Sequence, residues 1–495
     1  MTGELPDDAV HAPIPFDWAR RHGILRRGDT LWLRNGFDRA ALLPLSAHLG
    51  SDFALHHVSA ADFDGALAED YGLTGDGGWT GMAASLDNLD HIARDVPSAE
   101  DVLGSADDAP AIRLINAIIA DALRHGASDI HIEPFASALV IRRRTDGILT
   151  EALRLPAKVA PVLVSRIKVM ARLDIAERRL PQDGRISLQL GGRVIDARVA
   201  TLPGHAGERV VLRLLDTSQT ALNLGALGLD GTVTSVLQGA LSEPNGICLI
   251  TGPTGSGKTT SLYAALTLLN DGSRNILTIE DPIEYAIEGI GQTQVNPRVG
   301  LDFAGGLRAI LRQDPDVVLV GEIRDRETAE VAVQASLTGH LVLASVHTND
   351  AIGAVTRLID LGVEPFLIAA SLRAVVAQRL VRRLCPQCRQ SVPAAAEMGE
   401  ALGIAPDTPI WRAMGCATCG DSGFSGRVGV FEAVRVDDAL RTMIHKGADE
   451  AEMAAHAFAD GRGVTLAAAA RAAVLDGITN VAEAVRITRS GGGDG

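Results

Sequence analysis

Between an apolar run at residues 247–250 and a helical stretch at 262–269 stands the octapeptide Gly252-Pro253-Thr254-Gly255-Ser256-Gly257-Lys258-Thr259. Nothing else in the 495-residue chain restricts its fold as tightly. The glycines let backbone N–H groups curl inward at a helix N-terminus, where unsatisfied donors and the helix dipole favour phosphate oxygens. Lys258 is spaced to reach β and γ phosphates. The Thr259 hydroxyl, with Thr260 behind it, is spaced to ligate Mg²⁺. A loop of this kind needs a buried strand running into a helix. Residues 276–279, 317–320 and 341–346 add β-rich apolar runs separated by helical stretches, so the region is expected to be α/β with a mostly parallel sheet.

Such a sheet collects its chemistry at the carboxyl ends of its strands. Four apolar residues, 317–320, lead through Gly321 to Glu322, the candidate for orienting and polarising a water in line with a γ phosphate. A second cluster, Glu280-Asp281-Pro282-Ile283-Glu284, ends the strand at 276–279. Glu280 and Glu284 are competing candidates for the base or for holding metal-bound water, against the plainer reading of a capping cluster before Pro282. His340 and His347 bracket residues 341–346, and His347 is the candidate for contacting the γ phosphate. Arg308 and Arg312, four apart in a helical stretch, point the same way and suggest a shared anion.

Upstream the pattern changes. Residues 1–95 carry three of the four tryptophans (Trp18, Trp32, Trp79), no lysine and a net charge of −8, and read as a small separate domain. Residues 96–108 read as a linker, and a helix is expected from Pro110, capped by Asp107 or Asp108 and ended by His125-Gly126. From there to residue 218 short alternating runs indicate an α+β domain. Its clearest piece is a hairpin closed by Gly191-Gly192, a loop that tolerates positive φ. That turn sets Leu190 opposite Arg193 and Arg185 opposite Arg198. Like charges facing across a ladder are unfavourable unless an anion lies between them.

Residues 219–243 read as a second linker, 244–384 as the α/β core, 385–431 as a cysteine-bearing module and 432–495 as a helical region. Within the module Cys385-Pro386-Gln387-Cys388 and Cys416-Ala417-Thr418-Cys419 are two tight turns, each presenting two thiolates. Four thiolates fill the tetrahedral shell of Zn²⁺ and leave no position for substrate, so the site is expected to be structural. Cys248 reads as core. A net charge of −15 and only 3% aromatic residues argue against nucleic acid as a partner. No apolar run approaches the roughly 18 residues of a membrane span, and the acidic start lacks the features of a signal peptide, so the chain is expected in the cytoplasm.

Taken together, residues 278–285 (TIEDPIEY), 289–295, 307–325, 339–350 (GHLVLASVHTND), 126–134, 181–185 and both cysteine pairs resemble the ATPases of type II secretion systems, within the wider secretion and pilus ATPase superfamily. The resemblance spans about residues 110–435. It implies a RecA-like P-loop motor preceded by a PAS-like α+β domain and a small N-terminal domain, with a tetracysteine zinc module and a helical C-terminus. It matches the Walker A loop to residues 252–259, an aspartate box to 278–285, the Walker B glutamate to Glu322 and a histidine box to 339–350. Arg185, Arg198 and Arg209 match arginines that the preceding domain swings onto the nucleotide, and Arg308 and Arg312 match arginines aimed at phosphate.

The same resemblance implies ATP, Mg²⁺ and Zn²⁺ as ligands and a homohexamer on the cytoplasmic face of the bacterial inner membrane. There it would drive an integral platform protein to build a pseudopilus, with residues 1–95 docked on a bitopic membrane partner and membrane contact indirect. Residues 291–295 and 377–385 read closer to the secretion branch than to its neighbour, the type IV pilus assembly ATPases. A retraction ATPase, a nucleic-acid translocase and a scaffold that only senses ATP fit less well.

Overall fold

In the computed structural model the described residues are 22–27, 30–38, 41, 42, 54–59, 62, 63 and 66 of the N-terminal segment, and then 109–190, 193–215, 224–395 and 402–489. The expected linker at 96–108, Trp18, Trp79, the capping pair Asp107 and Asp108 and the Gly191-Gly192 loop lie outside them. Residues 1–218 and 219–495 form two compact units.

The described residues of the first unit contain two sheets. β1 (Ile24–Arg27), β2 (Thr30–Arg34) and β3 (Ala54–Val58) pack Ile24, Leu25, Leu31 and Leu33 around Phe63. The second is antiparallel, β4 (Ala127–Pro134), β5 (Ala138–Thr145), β6 (Ile148–Pro156), β7 (Gln182–Leu190), β8 (Arg193–Leu202) and β9 (Arg209–Leu215), in the order β6-β5-β4-β9-β8-β7. Strict alternation sorts its two faces. Ile130, Ile132, Ile186, Val199, Val210 and Leu212 point to α1 (Ala109–Arg124) and α2 (Ala160–Met170) and form one core with them. α1 ends where expected, with Gly126 at φ 61°.

The opposite face is crowded with charge. Arg185 sits opposite Arg198 as the hairpin reading requires, and Arg198 in turn sits opposite Arg213, an arginine the sequence reading passed over. Arg213 next meets Asp129, its Nε 3.0 Å from Oδ1.

The second unit is built on a seven-stranded sheet: β10 (Gly246–Thr251), β11 (Ile276–Glu280), β12 (Gly291–Gln294), β13 (Val317–Val320), β14 (Leu341–Val346), β15 (Leu372–Leu384) and β18 (Phe424–Arg435), ordered β12-β11-β13-β14-β10-β15-β18. All neighbours are parallel except β15 and β18. A parallel sheet is apolar on both sides because its crossovers cover both. Cys248, Ile250, Leu319 and Leu343 face one core, shared with α3 (Gly231–Leu241) and α4 (Lys258–Leu269). Leu249, Val318, Val320 and Val342 face the other, with α5 (Phe303–Ile310), α6 (Arg326–Leu337), α7 (Ala351–Asp360) and α8 (Pro365–Ser371).

Two stretches differ from expectation. Residues 219–243, read as a linker, contain α3. Asp230 caps it by accepting from the Val233 N–H at 2.7 Å, and Val233, Val236 and Leu237 are buried under the sheet. The cysteine module is an excursion between two paired strands of the motor sheet, β15 and β18, and carries its own pair β16 (Gln390–Pro393) and β17 (Pro409–Arg412). It rests on α11 (Leu466–Leu475) and α12 (Val481–Arg489), which follow α9 (Asp438–Lys446) and α10 (Glu450–Ala457).

Candidate active site and metal centre

The octapeptide leaves β10 and enters α4. Gly252 has φ 148°, and a Cβ there would collide with the Gln378 carbonyl oxygen and lie 2.7 Å from Ser256 Oγ. Gly257 has φ 87°, and a Cβ there would lie 2.8 Å from Gln378 Nε2. Both positions therefore demand glycine on two counts, conformation and space. Gly257 is also the N-cap of α4 and offers no side-chain acceptor. The first N–H groups of α4 are left for an anion. Lys258 donates to the carbonyls of Gly252 at 2.7 Å and Pro253 at 3.3 Å.

β13, β14 and β10 are neighbours, so their carboxyl ends bring Glu322, His347 and the loop together. Glu322 Oε2 lies 2.7 Å from Arg324 Nε and 3.5 Å from His347 Nε2. Burial and the Lys258 ammonium push the His347 pKa down, with Glu322 pulling the other way. His347 is thus a neutral imidazole near pH 7, a hydrogen-bonding group rather than a cation. His340 lies at the far end of β14, its Nδ1 2.8 Å from the Ala335 carbonyl, and takes no part in this cluster.

Glu280 is close by along the sheet but committed elsewhere. Its Oε1 accepts from Thr278 Oγ1 at 2.6 Å and Gln292 Nε2 at 3.2 Å, and its Oε2 accepts from the Tyr263 hydroxyl. The carboxylate is 3% exposed and works as a fixed acceptor tying β11 to α4 and to the strand that follows. Of the acidic candidates, Glu322 stands beside His347 at the strand ends, whereas Glu280 has both oxygens taken. The Glu284 backbone N–H donates to the same Tyr263 oxygen at 3.3 Å.

The remaining cations are held by partners the sequence spacing did not reveal. Arg308 on α5 pairs with Glu327 at 2.6 Å, and Arg312, two residues beyond the helix end, donates to the Arg308 carbonyl at 2.9 Å. Their spacing therefore needs no shared anion to explain it. In the first unit Arg209 pairs with Glu133, which also takes a two-pronged bond from Arg142 at 2.6 and 2.7 Å. Burial alone would raise the Glu133 pKa; the two guanidinium groups hold it below the usual carboxylate range. Two residues missed entirely are Gln378 and Arg379, buried in β15 directly beneath the nucleotide loop. A Gln-Arg pair inside the otherwise apolar residues 374–381 was the available signal.

The four cysteines converge. Sγ–Sγ separations are 3.9 Å for Cys385 and Cys416, 3.9 Å for Cys388 and Cys419, and 3.7 Å for Cys416 and Cys419. Four thiolates about 2.3 Å from a central Zn²⁺ would stand about 3.8 Å apart. The donor set fits Zn²⁺. Burial opposes ionisation of Cys419, but N–H donors from Cys416 and Gly423 outweigh it and bring the thiol down to about 6.

Burial depresses the Lys258 ammonium to about 8, Glu322 acting to raise it and Arg379 to lower it further. The cation is complete below that pH and is lost as pH rises through it, whereas bound phosphate would restore it. ATP binding at pH 8.5 should therefore take up a proton, and affinity should fall toward pH 10. Titration calorimetry in buffers of different ionisation enthalpy measures the uptake; none at pH 8.5 would remove Lys258 as the titrating group.

Comparison with known proteins gives the family and the fold. Residues 104–486 match the family model described as type II/IV secretion system protein, and residues 13–71 match a domain model of GSPII protein E. The type II secretion system protein E of Pseudomonas aeruginosa is 51% identical over 502 residues, covering 99% of both chains. The type II secretion system ATPase E of Vibrio cholerae is 51% identical over 487 residues, covering 96% of both. Among solved structures, the Legionella pneumophila ATPase DotB shares the fold, with a TM-score of 0.57 and 23% identity over 76% of this chain and 95% of that one.

Proposed function

This chain belongs to the type II secretion system protein E family, and we propose that it is the ATP-hydrolysing motor of such a system. The observation that carries the reading is the convergence of Glu322, His347 and Lys258 on one glycine loop at the ends of three adjacent strands. Residues 252–260 would cradle the phosphates, Lys258 would neutralise the β and γ oxygens, and Thr259 would hold Mg²⁺. Glu322 orients the attacking water, kept in place by Arg324, and neutral His347 hydrogen-bonds at the γ position. Arg185, Arg198 and Arg209 close over the leaving charge from the preceding domain. Arg308 and Arg312 join them once released from their present partners. The row Arg185, Arg198 and Arg213 supports this, because three like charges meet there with Asp129 at one end, and a further anion would relieve the repulsion.

The assembly follows from the same reading. The chain works as a homohexamer at the cytoplasmic face of the inner membrane, driving an integral platform protein so that a pseudopilus grows and folded proteins leave the periplasm. Among the described residues no helix is long and apolar enough to cross a membrane. Attachment is through the N-terminal domain to a bitopic membrane protein. The identity over nearly the full length of named secretion relatives favours this branch over a type IV pilus assembly ATPase. Full-length protein used as bait on inner-membrane extracts should capture a secretion-type bitopic protein. Capture of a pilus-type partner instead would move the chain to the neighbouring branch.

A further inference from the structure

β15 passes beside β10 with Ala377 opposite Thr251, so the next two residues run under the nucleotide loop. Gln378 is 2% exposed and its Oε1 accepts from Ser261 Oγ at 2.7 Å, fixing the first turn of α4. Arg379 is 4% exposed. Its Nη1 donates to the Gln378 carbonyl at 3.1 Å, and its Nη2 donates to the Asn349 carbonyl at 2.7 Å. The same Nη1 lies 3.2 Å from where a Gly252 Cβ would stand.

Burying a guanidinium is costly, and this one has no direct carboxylate partner among the described residues. The nearest negative groups are otherwise engaged. Glu432 accepts from the backbone N–H groups of Ala351 at 2.7 Å and Leu466 at 3.0 Å, and Asp350 caps α7 through Gly353 at 2.7 Å. An apolar side chain would serve the core of a strand as well. What the arginine gains is a fork between two carbonyls, one on the floor of the nucleotide loop and one on the segment that carries His347. From the other side Thr251 Oγ1 accepts from the Thr348 N–H at 2.9 Å and lies 2.7 Å from Thr348 Oγ1. Residues 347–350 are thus pinned at two points to the strands flanking the loop.

We propose that Arg379 is a positioning residue for ATP turnover, holding the His347 segment in register with the nucleotide loop so that His347 and Glu322 meet the γ phosphate. The proposal rests on the ATPase reading above. The guanidinium is spent on two backbone carbonyls, and its effect passes through that of Asn349. A misplacement of about 1 Å at a reacting centre can cost about 10²-fold in rate.

The test uses the full-length chain, with Arg379→Gln and Arg379→Lys beside wild type. ATP affinity, kcat, KM and the thermal midpoint are measured for each. The expected result is a kcat lower by about tenfold or more in Arg379→Gln, with KM and ATP affinity within about threefold. Arg379→Lys, able to remake one of the two carbonyl bonds, should recover part of the loss. A folded variant with undiminished kcat overturns the proposal. So does a parallel fall of kcat and affinity, or loss of fold in both variants, which would make Arg379 a residue of stability alone. Wild-type protein that releases no phosphate removes the ATPase reading and this role with it, whereas wild-type turnover matched by the variants removes only Arg379.

Discussion

Replacing Glu322 with Gln should lower kcat by about 10²- to 10⁴-fold, the range typical of a lost general base, while ATP binding changes by less than about threefold. The geometry sets this expectation. The Gln amide oxygen can still accept from Arg324, which now sits 2.7 Å from Oε2, so the loop after β13 keeps its shape. What disappears is the negative charge that would polarise water and the proton acceptor it would provide. Glu280 cannot step in, because Thr278, Gln292 and Tyr263 already occupy its two oxygens. Nucleotide recovered from the purified variant should be intact ATP. Turnover at the wild-type rate would move the base elsewhere, with Glu284 the next candidate.

The second large effect concerns the thiolate cluster. Zinc held by four cysteines contributes binding free energy on the order of 10–16 kcal/mol at neutral pH, and in small modules that energy is folding energy. Here the described residues of the excursion between β15 and β18 offer two short strands, β16 and β17, and a few apolar side chains packed against α11 and α12. Elemental analysis should find one zinc per chain, lost on replacing Cys416 and Cys419 with Ser. Hydrogen exchange should then rise sharply across residues 385–423, with β10 and β14 still protected because their contacts lie in separate cores. Unchanged protection of the excursion after metal loss would show that it stands on packing alone. The Arg389 guanidinium stacked 4.5 Å over the Trp411 ring and bonded to the Gly477 carbonyl at 2.5 Å would then be its main anchor.

The sequence was most readable where one local signal decided the outcome. Residues 317–320 and 341–346 are strands with the very ends expected, since short fully apolar runs between helices leave a parallel strand little choice. The pairing of Arg185 with Arg198 followed from one glycine-rich turn, because register has period two. Helix α3 was hidden because its Asp230 cap stands in a Gly- and Thr-rich stretch that reads as loop. β15 was hidden because Gln378, Arg379, Arg382 and Arg383 break its apolar run, and only tertiary partners such as Asn349 and Glu483 make charge tolerable there.

The site shows the same division. Residue types and spacing singled out the glycine loop, Glu322, His347 and the four cysteines, and the structure brings Glu322 beside His347 and the four thiols together. Partners distant in sequence were invisible: Glu327 for Arg308, Tyr263 for Glu280, and the carbonyl fork of Arg379. Each depends on which helix lies across from which strand, and no local pattern encodes that.

The proposed motor requires one event, cleavage of ATP in the pocket formed by the loop at 252–259 and the strand ends beside it. Phosphate release by full-length protein and by Lys258→Ala, at saturating Mg-ATP, measures it directly. Wild-type protein should turn over repeatedly and Lys258→Ala should release nothing above the uncatalysed background. Equal release by both, or none by wild-type protein even when assembled with its membrane partner, would contradict it.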